Sequence, residues 1–87
     1  MASYNHQRQA VSVERMTPAG DGRVEIRLRT ARGDIYEATA NARDLHSTTG
    51  TPLLAGDRVW VNGGLGLPTS IFFGGRTIWR NPAVSGY

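Results

Sequence analysis

The chain has 87 residues, no cysteine and a formal net charge of +3, which excludes disulfide bonds and thiolate zinc sites and indicates one small domain. All ten basic residues are arginine, and the seven acidic residues are interleaved with them, so the charge permits a nucleic-acid partner without requiring one. No stretch reaches the roughly 18 apolar residues of a membrane span, and the polar start of the chain gives no reason to expect a signal peptide.

The chain opens with residues that lack any periodicity. Residues 1–10 are polar and are predicted to form a flexible N-terminal arm. A first strand is predicted over residues 11–16, because two valines lie on one face of it. The segment TPAGDG, residues 17–22, follows as a turn.

The strongest strand signal comes next. Residues 23–30 alternate between charged and apolar side chains, a period of two that predicts one buried and one solvent-facing side. The segment ARGD, residues 31–34, is predicted to turn the chain into a third strand over residues 35–40. The side chains expected in the core from these two strands are Val24, Ile26, Leu28, Tyr36, Ala38 and Ala40.

The second half begins with a link, residues 41–50, in which the strand pattern is lost and one helical turn is predicted. A fourth strand is predicted over residues 58–62, with Val59 and Val61 facing the core. After a glycine-rich loop, residues 71–73 and 76–79 are predicted to form a hairpin around two glycines.

These elements predict an all-β fold, a small five- to six-stranded OB-like barrel with flexible arms at both ends. The barrel domain is expected to span residues 11–80, between the arms at 1–10 and 81–87. An SH3-like barrel is the alternative architecture.

One stretch, LLAGDRVWVNGG…PTSIFFGG, resembles small OB barrels in the tail, baseplate and neck proteins of tailed-phage virions. That resemblance implies a structural role in a particle. A weaker resemblance, carried by VEIRLRTARGDIYEATANARDL…LLAGDRVWV, is to the S1-type OB barrels of ribosomal and initiation-factor proteins, and it implies binding of single strands. The residues that match the virion pattern are Gly56, Asp57, Arg58, Val59, Val61, Pro68, Ile71 and Gly74.

The chain departs from the S1-type pattern on the outward face of its second and third strands. Binders of that type stack bases on aromatic side chains there, inside a basic surface. In this chain the outward face has no aromatic residue, and it carries Glu25 and Glu37, which repel a polyanion. This departure favours the virion-like interpretation.

Three large aromatic residues fall outside the predicted core. Trp60 lies opposite the face of its neighbouring valines, and Phe72 and Trp79 are interpreted in the same way. Exposed aromatic residues are typical anchors of protein–protein interfaces. The interface is therefore predicted to contain Trp60, Leu65, Leu67, Phe72, Trp79 and Tyr87.

No motif for catalysis, metal binding or a cofactor is found. His46 lies near Asp44, but no serine or cysteine nucleophile accompanies them in a recognisable pattern. The segment GGLGLP, residues 63–68, lacks the lysine and hydroxyl pair of a phosphate-binding loop. We therefore expect a protein without enzymatic activity.

Two functional hypotheses follow. The first is a non-enzymatic structural component of a phage-like virion or a similar symmetric assembly, made in the host cytoplasm. Its partners would be copies of itself and other virion proteins, with nucleic acid at most a weak partner and no membrane contact. The alternative is a cytoplasmic barrel that binds single-stranded nucleic acid through Arg27, Arg29, Arg58, Trp60 and Trp79.

Overall fold

The structure, a computed structural model, describes residues 8–64 and 67–83 and is all-β in that part of the chain. A single 3₁₀ turn, Ala42–Asp44, is the only helical element among the described residues. The six strands are β1 (Arg8–Gly20), β2 (Arg23–Arg29), β3 (Ile35–Asn41), β4 (Arg58–Gly64), β5 (Leu67–Phe73) and β6 (Arg76–Arg80).

The strands form one antiparallel sheet in the order β3-β2-β1-β4-β5-β6. The long β1 joins its two halves, because residues 12–20 pair with β2 while residues 8–12 pair with β4. Two register shifts interrupt the β1–β2 pairing, and such irregularities bend a strand and increase its twist. The sheet can therefore curl around its own concave face.

The concave face holds the core. The predicted alternation in β2 and β4 is confirmed, since Ile26, Leu28, Val59 and Val61 are buried, and Val24 is half-buried against them. Tyr36 also packs on this core, as predicted. The buried apolar residues come from every strand and from the link: Val11, Val13, Ile26, Leu28, Ala38, Ala40, Leu45, Leu53, Val59, Val61, Ile71 and Ile78.

The two edge strands, β3 and β6, approach each other on the far side of the curl. Trp79 of β6 packs against the core, and its indole Nε1 donates a hydrogen bond of 3.1 Å to the backbone oxygen of Thr39 in β3. No strand pairing joins the two edges among the described residues. We call this line of approach the seam.

β1 and β5 are several residues longer than predicted, and β4 runs two residues further, to Gly64. β1 starts at Arg8 and takes up most of the predicted turn at 17–22, as far as Gly20, because Asp21 and Gly22, both at positive φ, suffice to reverse the chain. Pro18 is tolerated in β1 because β4 pairs only with residues 8–12, which leaves that part of β1 at a one-sided edge. Similarly, β5 begins at Leu67 rather than at residue 71, so both ends of the predicted glycine-rich loop belong to strands.

Candidate interaction surface

Trp60 and Phe72 lie side by side on the convex side of the sheet. They are direct cross-strand partners between β4 and β5, and Ala10 of β1 lies on the other side of Trp60. Trp60 is 41% exposed, although both of its neighbours in β4 are buried. The prediction that Trp60 faces away from the core is confirmed. We call the outward surface around Trp60 and Phe72 the aromatic face.

A row of three polar side chains borders the aromatic face. Ser12 of β1 is the partner of Arg29 in β2 and also of Arg58 in β4, so the three residues lie in line across three strands. Arg58 lies two positions before Trp60 on the same outward side of β4, and it forms no ion pair with any described residue. The aromatic face therefore has an unpaired cation at its border.

The other outward arginines of β2 are engaged in ion pairs. Arg29 Nη2 contacts Glu14 Oε2 at 2.9 Å, Arg27 Nε contacts Glu14 Oε1 at 3.3 Å, and Arg27 Nη1 contacts Glu37 at 3.3 Å. The hydrogen bond from Arg29 is the main cause that holds the pKa of the Glu14 carboxyl below its usual value. The charge of Arg27 and Arg29 is thus largely compensated, which sequence reasoning missed because it did not pair Glu14 with β2.

Trp79 does not belong to the aromatic face, contrary to the sequence-based prediction. It lies opposite Ile71, which is buried, and it packs on the core side of the sheet. The cause is an irregularity in the β5–β6 pairing. Phe72 pairs with Thr77, but the preceding residue, Ile71, pairs with Trp79. Ile78 is therefore an extra residue in β6, without a partner of its own in this register. This shift reverses the face that simple alternation assigns.

The remaining predicted interface residues are only partly covered by the structure. Leu65 and Tyr87 lie outside the described residues. Leu67 is the first residue of β5, and its backbone pairs with that of Gly64 in β4.

The residues considered for catalysis have structural partners. His46 Nδ1 donates to the backbone oxygen of Ser47 at 2.9 Å, and Arg76 Nη1 lies 3.1 Å from His46 Nε2. Arg76 Nη1 also donates to the backbone oxygen of Asp44 at 3.0 Å, so it fastens the link to β6. Within residues 8–64 and 67–83, no group of three acidic or histidine side chains is placed to hold a metal ion.

Within the described ranges, no helix is long and apolar enough to cross a membrane. Comparison of the chain with models of protein families, with curated proteins and with solved structures finds no match.

Proposed function

We propose that this protein is a non-enzymatic structural component of a phage-like virion or a similar symmetric assembly, built from an OB-like barrel. The observation that carries the proposal is the aromatic face, where the exposed Trp60 adjoins Phe72 on a surface that the core does not need. An exposed tryptophan beside a half-buried phenylalanine on a small domain favours a protein partner, because aromatic residues are enriched at the centres of interfaces.

The architecture is compatible with this role. The residues that resemble virion OB barrels, around GDRVWV and IFFGG, form β4, β5 and the turn before β4. OB barrels are partly open and built on five strands, and this curled sheet adds a sixth strand beside an open seam. The partners would be other copies of the chain and other particle proteins, and the chain would assemble in the host cytoplasm.

Binding of single-stranded nucleic acid is the second candidate. The observation in its favour is that Arg58 and Trp60 share one outward face, so that a base could stack on Trp60 while Arg58 contacts a phosphate. Against it, Arg27 and Arg29 are paired with carboxylates and Trp79 is on the core side. Three of the five residues proposed for this function are therefore unsuited to it.

Solution mass separates the two candidates. Sedimentation of the wild-type chain is expected to show concentration-dependent assembly. Trp60→Ala is expected to give a folded monomer, because truncation of one aromatic anchor costs about 2 kcal/mol or more per contact, roughly a thirtyfold loss of affinity. Single-strand binding should be weak at about 150 mM salt, because the arginines without an ion pair are scattered along the chain and do not form one basic surface.

The contrary result is equally clear. A wild type that stays monomeric at high concentration, yet binds a single-stranded oligonucleotide at submicromolar concentration and loses that binding in Trp60→Ala, would favour the nucleic-acid function.

A further inference from the structure

A groove runs along the seam, on the side of the curled sheet opposite the aromatic face. It has a volume of about 460 Å³ beside the indole of Trp79, more than ten times the ~30 Å³ share of one water molecule. Pro68 and Pro82 form apolar walls, and Glu25 and Glu37 contribute carboxylates. We call this feature the seam groove.

The chemistry of the seam groove fits a guanidinium group. A planar guanidinium stacks on an indole ring and donates hydrogen bonds to both oxygens of a carboxylate at once. Glu37 already forms an ion pair with Arg27. Glu25 forms no ion pair with any described residue, and its cross-strand neighbours, Thr17 and Thr39, are uncharged. Arg23 also lines the groove, without an ion pair to either carboxylate.

The aromatic face offers the complementary group. Arg58 is exposed, has no ion pair among the described residues, and lies next to Trp60. Arg29, in the same row, is held by Glu14. Arg58 is therefore a cation of this surface that is available to enter a site on another molecule, with Trp60 placed to pack on the proline walls beside it.

The topology places these two surfaces on opposite sides of the molecule. β1 and β4 are the middle strands of the sheet, whereas the seam lies between its two end strands. When a sheet curls until its ends approach each other, its middle lies across from the seam. A contact between the two surfaces is consequently head-to-tail, which leads to closed rings or open filaments rather than to isolated dimers.

We propose that the aromatic face of one copy docks on the seam groove of the next copy, with Arg58 inserted against Trp79 and paired with Glu25. This inference rests on the self-assembly proposed above and names the surface that receives the aromatic face. It predicts that each subunit uses both surfaces at once.

Charge reversal tests the contact in the full-length chain. Arg58→Glu and Glu25→Arg are each expected to weaken assembly more than tenfold, because like charges then face each other across the interface. A mixture of the two variants should assemble as alternating copies, since the intact Arg58 of one variant meets the intact Glu25 of the other, and the two reversed charges face each other at the next contact. The double variant, which restores opposite charges at every contact, should assemble again.

Arg43→Glu is the matched control, because Arg43 is exposed and unpaired but lines neither surface, and it should assemble as the wild type does. Circular dichroism should show that every variant is folded. If Trp60→Ala dissociates while both charge reversals assemble normally, the seam contact is overturned and the assembly function stands. A monomeric wild type overturns both proposals.

Discussion

At the scale of single residues, cross-strand neighbours decide what a charged side chain does. Arg29 and Arg58 lie in one row on either side of Ser12, yet only Arg29 has a carboxylate within reach. Glu14 holds Arg29 and Arg27 together, so these arginines stabilise the sheet surface while Arg58 stays available for a partner. The difference comes from register, since Glu14 lies on β1 beyond the residues that pair with β4.

Glu14→Gln tests this assignment through its pH dependence. The hydrogen bond from Arg29 lowers the pKa of Glu14 from its ordinary value of 4.5. Stabilisation from a lowered pKa is present above the unfolded-state value and is lost as the pH falls through the lower folded-state value. We expect the variant to have a slightly lower Tm than the wild type at neutral pH, by no more than a few degrees, because exposed ion pairs are screened.

Thermal unfolding measured at neutral pH and well below pH 4.5 checks the expectation. The Tm difference should disappear in acid, where Glu14 is protonated in both states. Glu25→Gln, which removes a carboxylate without an ion pair, should leave Tm unchanged in dilute protein. A Tm difference for Glu14→Gln that persists in acid would show that packing, and not charge, is the cause.

At the scale of elements, the link between β3 and β4 is fastened to the turn between β5 and β6. Thr48 donates both its backbone N–H and its Oγ1 to the backbone oxygen of Gly74, at 2.9 and 3.1 Å. Gly74 has φ of 56°, and a Cβ atom there would overlap Ser47. This position therefore needs glycine for two reasons, a left-handed backbone and a close approach of the link.

Gly74→Ala should consequently be costly. We expect a loss of roughly 2–4 kcal/mol in the free energy of unfolding, because the strained φ and the overlap with Ser47 add. Gly33→Ala is the control, since Gly33 also has positive φ but no atom near its missing side chain, and it should lose only about 1 kcal/mol. Urea unfolding measures both values. Equal losses of unfolding free energy in the two variants would mean that Ser47 and the link move away from the new methyl group at no energetic cost.

At the scale of the whole molecule, Trp79 brings the two ends of the sheet together. β3 and β6 share no strand pairing among the described residues, and the indole bond to Thr39 is the hydrogen bond that spans the seam there. The same indole forms a wall of the seam groove. Closure of the sheet and the proposed binding of a second copy thus depend on one side chain.

Trp79→Phe keeps an aromatic ring but removes the donor. We expect a loss of about 1 kcal/mol in the free energy of unfolding and faster amide exchange along β3, whose edge is then released. Trp60→Phe, on the aromatic face, should change neither property when both are measured in dilute protein. Unchanged exchange along β3 in Trp79→Phe would show that the core alone keeps the seam closed.

The order of residues along the chain is enough to predict the all-β class, the alternation of β2 and β4, the apolar core and the outward position of Trp60, because a strand's period of two is a local property. It also placed Tyr36 correctly on the core side. Three features are seen only in the folded chain: the face of Trp79, the pairing of Glu14 with two arginines, and the seam groove with its position opposite Arg58. Those features depend on bulges and on register between strands far apart in the chain, which local alternation does not encode.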